Sequence, residues 1–196
     1  MRRVNNIYDS ILDIKVIQKI YSSRVMVNTK NKLKLEKFEN NYVSNMIYIK
    51  QILEERNYKP GRYNIFLIKE PKYRIIMSQG IYDKVINHYI AKYVLDKKLS
   101  KYLDIRNVAT RRNMGSSYGI KLIFRYIEKL KRKNSEFYIL KLDISKYFYS
   151  IDHNVLKELI KDKLTKEEYY FLEKIIDSTD EDYVNNTISN LKNKEL

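Results

Sequence analysis

The sequence contains no cysteine, only two histidines and only two prolines. Without cysteine the chain forms neither a disulfide nor a cysteine-based zinc site, and two histidines are too few for a histidine metal cluster. No run of about 18 apolar residues occurs, so no membrane span is expected. Polar and acidic residues follow Met1-Arg2-Arg3 in place of a signal-peptide core. These absences favour a cytoplasmic protein.

Positive charge is what the chain has in excess. It carries 39 Lys and Arg against 24 Asp and Glu, a net charge of +15. A basic excess of this size favours a polyanionic partner, and nucleic acid is the commonest. The alternative is a genome rich in A and T, whose codons would supply much of the Lys and many of the 19 Tyr. The 196 residues suffice for one domain with a real core or for two small lobes.

Helical periodicity of apolar residues covers most of the chain. The predicted helices span residues 6–22, 33–56, 80–98, 117–133 and 166–178, and a further helix begins shortly after residue 150. For this last helix the expected N-cap is Asp152 or Ser150, and Thr165 with Glu168 forms a capping box for helix 166–178. Two stripes are expected to face inward: Ile120, Ile123, Phe124, Ile127 and Leu130 on one helix, and Val155, Leu156, Leu159 and Ile160 on another. Residues 177–196 are polar, and the structure is expected to end weakly there.

A β-hairpin is predicted after Pro60-Gly61, the clearest breaker in the chain. Its strands are the runs from Tyr63 to Ile68 and from Tyr73 to Met77, joined by a tight turn at residues 70–72. Lys69, Lys72 and Arg74 lie around that turn. Arg offers planar, bidentate contacts to phosphate and Lys a mobile point charge. The simpler interpretation is that these are solvated cations on edge strands.

A basic loop rich in small residues occupies residues 104–120. It contains Arg106, Arg111, Arg112, Gly115 and Ser116. Gly and Ser let a backbone approach a phosphate closely, and amides at the start of a helix favour anions. The loop is therefore a candidate nucleic-acid contact, and an exposed connector is the alternative.

A short run of aromatic and aliphatic residues at 137–142, interrupted only by Lys141, is typical of a buried strand. Asp143 follows it directly. Burying a lone carboxylate costs several kcal/mol unless it is paired or binds a cation. Asp143 is therefore a candidate metal ligand. The alternative is that it only caps a turn.

The string Leu-Asp-Ile-Ser-Lys-Tyr-Phe-Tyr-Ser-Ile-Asp-His, residues 142–153, resembles motif A of reverse transcriptases. The likeness is greatest to the bacterial kinds: group II intron, retron, abortive-infection and diversity-generating enzymes. The resemblance implies that Asp143 binds the catalytic Mg²⁺ ions, with Mn²⁺ as an alternative, assisted by the backbone carbonyl of Ile144. It also implies that Phe148 lies under the sugar of the incoming nucleotide and excludes a 2′-hydroxyl. Phe148 can equally be a core aromatic.

The upstream segments resemble the same family. Phe66-Leu67-Ile68-Lys69 and Lys72-Tyr73-Arg74-Ile75-Ile76 are similar to its first fingers hairpin, which implies that Arg74, with Lys69 or Lys72, contacts the triphosphate of a dNTP. The loop 104–120 resembles the segment that borders the template. The implied partners are an RNA template, a DNA or RNA primer and dNTPs, together with the remainder of a polymerase or an oligomeric partner.

The family holds two Mg²⁺ ions with carboxylates from two neighbouring strands, and this sequence has no aromatic-x-Asp-Asp motif. Asp180-Glu181-Asp182-Tyr183 is instead expected to be a solvated loop. The expected fold is α+β: an N-terminal helical extension at 1–58, fingers at 59–136 and the start of the palm at 137–196, with a small antiparallel sheet. Alone, the chain is expected to lack polymerase activity. The alternative function is a non-catalytic nucleic-acid-binding or phage-defence protein.

Overall fold

The computed structural model describes residues 13–56, 58–109, 111, 113–133, 136–145 and 147–195. They form two compact units. The first unit joins the described residues up to Lys98 with those from Asp152 onward, and the second unit is Leu99–Ile151. Helices dominate, and the described residues form one sheet of two antiparallel strands. The α+β class is therefore confirmed.

The first unit begins with three helices: α1 at Ile14–Ile20, α2 at Lys32–Glu39 and α3 at Tyr42–Glu55. Helix α1 continues as a π-helical turn, Tyr21–Met26, so the helix predicted at 6–22 runs further than expected; its residues 6–12 lie outside the described residues. The single helix predicted at 33–56 is two helices, because a two-residue turn separates α2 from α3. The side chain of Asn45 holds that turn by donating a 2.7 Å hydrogen bond to the carbonyl of Phe38.

The predicted hairpin is confirmed. Strand β1 is Asn64–Lys69 and β2 is Tyr73–Ser78. Helix α4 follows at Ile81–Ile90, widens into a second π-helical segment at Ala91–Leu95 and ends as the short α5 at Asp96–Leu99. The periodicity over 80–98 predicted this helical stretch but not its π-helical segment. An apolar stripe alone does not distinguish an α-helix from a π-helix.

The C-terminal part of the first unit consists of α7 at His153–Lys161, α8 at Lys166–Asp177 and α9 at Asp182–Glu195. Asp152 caps α7, since its carboxylate accepts from the amides of Asn154 and Val155. The capping box of α8 is also confirmed. The weak, polar end expected for 177–196 is wrong, because α9 forms, buries Val184 and packs against β1.

The hydrophobic core lies in the first unit. Every buried hydrophobic side chain among the described residues belongs to it. The stripes of α1, α3 and α4 meet there, and Phe171 and Leu172 of α8 close the core. Tyr58 stacks on Phe171, with ring centroids 4.9 Å apart. Burial of large apolar and aromatic side chains at about 25 cal/mol per Å² is the main stabilising term for such a unit.

The second unit contains one long helix, α6 at Ser116–Lys131, and short 3₁₀ turns at Ser100–Tyr102 and Tyr147–Tyr149. The position of α6 is confirmed, but its stripe is not buried as expected. Ile120, Ile123, Phe124 and Leu130 are exposed, because the described residues of this unit bring no apolar layer onto the helix. The stripe of α7 is buried only in part, with Val155 and Leu159 exposed.

Candidate nucleotide and nucleic-acid interface

The hairpin presents its three predicted cations at one end. The register pairs Ile68 with Arg74 and Lys69 with Tyr73. The amide of Glu70 donates a 3.2 Å hydrogen bond to the carbonyl of Lys72, which closes the turn. Lys69, Lys72 and Arg74 are all exposed. The structure thus brings these three side chains to the tip of one hairpin.

Side chains directly opposite each other in a strand pair lie on the same face, and neighbours along a strand alternate. Lys69 therefore shares a face with Tyr73, and its ammonium lies 5.1 Å from the centre of that ring. Arg74 lies on the other face. Lys72 belongs to the turn before β2, so the alternation of the strand assigns it to neither face. The register thus places Lys69 and Arg74 on opposite faces of the hairpin. The sequence had left open whether Lys69 or Lys72 acts with Arg74.

Helix α9 fastens the base of the hairpin. The amide of Tyr63 donates a 2.9 Å hydrogen bond to the hydroxyl of Tyr183, and the hydroxyl of Tyr63 lies 2.8 Å from the Oγ of Ser178. The guanidinium of Arg62 lies 4.4 Å from the centre of the Tyr183 ring. The solvated loop expected at Asp180-Glu181-Asp182-Tyr183 is therefore wrong in its second half, because Asp182 and Tyr183 begin α9 and Tyr183 holds the residue before β1.

A buried carboxylate fixes the entry into the hairpin. Asp83 of α4 accepts hydrogen bonds from the hydroxyl of Tyr58 at 2.7 Å and from the amide of Gly61 at 3.0 Å. A Cβ atom on Gly61 would lie 2.8 Å from Asp83 Oδ2, so only glycine fits there without a shift. Sequence reasoning missed this network. Its only signal was the glycine after Pro60.

The predicted template loop is held together by its own arginines. Arg106 makes two 2.8 Å hydrogen bonds to the carboxylate of Asp104, and the amide of Arg106 donates a third. These bonds hold the pKa of Asp104 well below its usual range, since they favour the charged carboxylate. Arg111 donates to the carbonyls of Asp104 and Asn107. Both guanidiniums therefore organise the loop, and Arg112 lies outside the described residues.

The end of this loop is where the sequence placed Gly115 and Ser116. Gly115 has φ 127° and ψ −167°, a region that essentially only glycine adopts. Helix α6 begins at Ser116, which is exposed. Gly119 allows close packing as well, because a Cβ atom there would meet the Val108 side chain at 3.1 Å. The helix start expected near residue 117 is thus confirmed to within one residue, and a phosphate contact by Gly115 and Ser116 stays a prediction.

The buried strand predicted at 137–142 is wrong. Residues 136–145 have no regular secondary structure, and Tyr138 and Leu140 are 93% and 80% exposed. The residue types were those of a strand, but a strand forms only against a partner, and no described residue pairs with this segment. Asp143 and Ile144 are exposed on it.

Phe148 lies on the 3₁₀ turn Tyr147–Tyr149 and is 82% exposed. Its ring meets that of Tyr147 edge-on, with centroids 5.3 Å apart. The alternative of a core aromatic is therefore wrong, because an aromatic with this exposure belongs to no core of the described residues. The role of Phe148 in excluding a 2′-hydroxyl stays a prediction.

The donor set for a metal pair is incomplete among the described residues. No three His, Asp or Glu side chains in that part of the chain form a group that could hold a metal ion. Asp143 and the carbonyl of Ile144 supply one carboxylate and one carbonyl, whereas the two-metal reaction needs carboxylates from two strands. These residues by themselves therefore do not fit the metal pair. In the same ranges, no helix is long and apolar enough to cross a membrane.

Comparison with known proteins identifies no family for this chain. No protein-family model and no curated protein sequence matches the chain.

Proposed function

We propose that this chain supplies the fingers and the first part of the palm of a reverse-transcriptase-type RNA-directed DNA polymerase. The observation that carries the proposal is the hairpin of β1 and β2, which forms as the resemblance to the family's first fingers hairpin implied and gathers Lys69, Lys72 and Arg74 at its tip. These side chains would bind the triphosphate of a dNTP.

The register favours Lys72 over Lys69 as the lysine that acts with Arg74. Arg74 and Lys69 belong to opposite faces, whereas Lys72 lies in the adjoining turn and is not tied to the face of Lys69. A triphosphate carries several negative oxygens, so one arginine fork and one mobile ammonium from the neighbouring turn make a complementary pair. Arg74 with Lys72 is thus our assignment for the triphosphate contact.

The other roles follow from the resemblance to motif A. Asp143 would provide one carboxylate of the Mg²⁺ site, Phe148 would select deoxynucleotides, and the loop with Arg106 and Arg111 would border the template. The exposure of Asp143 and Phe148 leaves both side chains accessible to a ligand. Because one carboxylate does not hold the metal pair, we expect no polymerase activity from the chain alone.

A second candidate is a non-catalytic nucleic-acid-binding protein with the same fold. It is favoured by the net charge of +15 and by the lack of an aromatic-x-Asp-Asp motif in the sequence. Both candidates bind nucleic acid, so binding weakens steeply with salt in either case because counterions are released from the phosphates. They differ in their response to nucleotides.

The experiment that separates them measures the affinity of the chain for an RNA–DNA primer–template hybrid, with and without Mg²⁺ and the complementary dNTP. The polymerase proposal expects the complementary dNTP to tighten the complex, and Arg74→Ala to abolish that gain. Arg132→Ala, outside the hairpin, is the matched control and should keep it. An affinity indifferent to dNTP and Mg²⁺ would favour the non-catalytic binder. Robust primer extension that is lost in Asp143→Ala would contradict the expected inactivity.

A further inference from the structure

The entry into the hairpin is fixed to two groups of helices. The amide of Gly61 donates to Asp83 of α4, whereas the next two residues contact the C-terminal helices. The guanidinium of Arg62 lies over the ring of Tyr183, and the amide of Tyr63 donates to the hydroxyl of the same side chain. One side chain of α9 thus holds both residues that lead directly into β1.

Tyr63 is also held by its side chain. The hydroxyl of Ser178 donates a 2.7 Å hydrogen bond to the carbonyl of Ile175. Since a hydroxyl has only one proton, Tyr63 is the donor in its 2.8 Å hydrogen bond with Ser178 Oγ. Ser178 is the C-cap of α8 and is buried. Tyr63 is therefore tied to α9 through its backbone and to the end of α8 through its side chain.

Packing of the hairpin points to the same helix. Among the described residues, the most extensive packing that either strand makes outside the hairpin is that of β1 against α9. Val184, which follows Tyr183 on α9, is fully buried. A two-stranded hairpin by itself is only marginally stable in water. The orientation of the hairpin thus depends on a helix that lies far away in the sequence.

The other end of the hairpin is fastened to α4. Strand β2 ends at Ser78, and the side-chain amide of Asn87 on α4 donates a 2.8 Å hydrogen bond to Oε1 of Gln79. Losing a contact with α9 would therefore leave the hairpin attached to α4 through Gly61 and Gln79. Such a loss would change the angle of the hairpin without detaching it from the core.

A small change of that angle is large at the tip. Strand β1 has six residues, which span about 20 Å at about 3.3 Å each. A tilt of about 5° at the base moves the tip by about 1.7 Å over that length. Hydrogen bonds tolerate much less, since their heavy-atom distances lie between about 2.5 and 3.2 Å. The positions of Lys72 and Arg74 therefore depend on the contacts at the base of β1.

We propose that Tyr183 and Ser178 are positioning residues for the triphosphate contact of Arg74 and Lys72. They would not contact the nucleotide themselves; they hold the angle at which the hairpin leaves the core. The inference rests on the proposed function, because it takes the hairpin tip as the site that binds the triphosphate of a dNTP. It assigns α8 and α9 to the same functional unit as the hairpin.

The test compares the dATP affinity of the full chain with and without the hydroxyl of Tyr183. The variant Tyr183→Phe keeps the ring next to Arg62 and removes only the acceptor of the Tyr63 amide. It should weaken dATP binding by about fivefold, which is the effect of one net hydrogen bond. Tyr169→Phe is the matched control, because it removes a hydroxyl that donates to Glu173 within α8 and should keep wild-type affinity.

A double-mutant cycle separates positioning from a general loss of folded protein. If Tyr183 acts through Arg74, the loss caused by Tyr183→Phe should shrink in an Arg74→Ala background. A general loss of folded protein would instead give the same fold-change in both backgrounds. Tyr63→Phe is the second variant, since it removes the bond to Ser178 and keeps the ring. It should weaken dATP binding in the same way, and it decides the question if Tyr183→Phe does not fold.

The outcomes distinguish this inference from the proposed function. The positioning role is overturned, and the proposed function stands, if both hairpin-base variants bind dATP as tightly as Tyr169→Phe. The same holds if the losses are unchanged in the Arg74→Ala background. If the wild type does not bind dATP, the proposed function fails and this inference fails with it.

Discussion

The hydroxyl of Tyr58 donates a 2.7 Å hydrogen bond to the buried carboxylate of Asp83. This bond joins the chain before the hairpin to α4, and the same oxygen of Asp83 also accepts from the amide of Gly61. The orientation of the hairpin on the core therefore depends on one acidic side chain. Burial and the Asp83 carboxylate raise the pKa of Tyr58, so its hydroxyl stays protonated and remains a donor.

Replacing Tyr58 with Phe should lower the free energy of unfolding by about 1–3 kcal/mol, because Asp83 loses a buried donor. Urea unfolding followed by circular dichroism measures the change. The matched control is Tyr170→Phe at an exposed site, which should stay within about 0.5 kcal/mol of wild type. Equal stabilities for the two variants would show that the bond does not fix the hairpin.

Glu168 is a second buried acid with a defined set of partners. Its side chain accepts from the amide of Thr165 at 2.9 Å and lies 3.1 Å from the Nζ of Lys98, while its Oε1 atom has no partner. Removing one member of a buried ion pair leaves the other charge uncompensated. Lys98→Met should therefore destabilise the first unit by about 3 kcal/mol or more.

The double variant Lys98→Met/Glu168→Met tests this explanation. It removes both charges together, so it should be less destabilised than Lys98→Met alone. A double-mutant cycle of unfolding free energies gives the coupling between the two side chains. Additive losses would mean that the pair contributes nothing specific.

The ion pair between Asp104 and Arg106 competes with any phosphate for the arginine. Asp104→Asn should free Arg106 and, if the loop borders a template, tighten RNA binding by about fivefold at 0.1 M salt. Asp162→Asn changes the net charge equally at another exposed acid and serves as the control. Equal gains in both variants would show that only net charge matters and that Arg106 has no special position.

The same pair predicts a pH dependence. Hydrogen bonds from Arg106 hold the folded-state pKa of Asp104 below its unfolded value of about 3.9. The contribution to stability is therefore complete above about pH 4 and is lost as the pH falls through the folded-state pKa. Titration of the Asp104 carboxyl carbon by NMR should show a midpoint below that of a free Asp. A midpoint near 4 would mean that the ion pair does not persist in solution.

Local sequence signals predicted the elements whose partners are close in the chain. The hairpin strands are adjacent, and their turn contains Pro71, so residues 63–77 carried the whole pattern. The cap at Asp152 and the capping box of Thr165 with Glu168 depend on three or four residues each. In these places the determining interactions lie within one turn of helix or one hairpin.

The predictions that were wrong concern segments whose partners are distant in the chain. The run at 137–142 has strand-like residues, but pairing is decided by a distant segment that the pattern does not contain. Helix α9 is polar in sequence, and what fixes it is Val184 and the contact of Tyr183 with Tyr63, 120 positions earlier. The Asp83 network spans 25 positions. Long-range partners of single residues leave no periodic signal.

The most direct test of the proposed function is titration of the chain with dATP, followed by NMR of the hairpin amides from Lys69 to Ser78. We expect dATP to shift these amides and adenosine, which has no phosphate, to leave them unchanged. Arg74→Ala should weaken the affinity for dATP by about tenfold or more, while Arg132→Ala should keep it. The account is contradicted if adenosine acts like dATP, or if dATP binds equally well without Arg74.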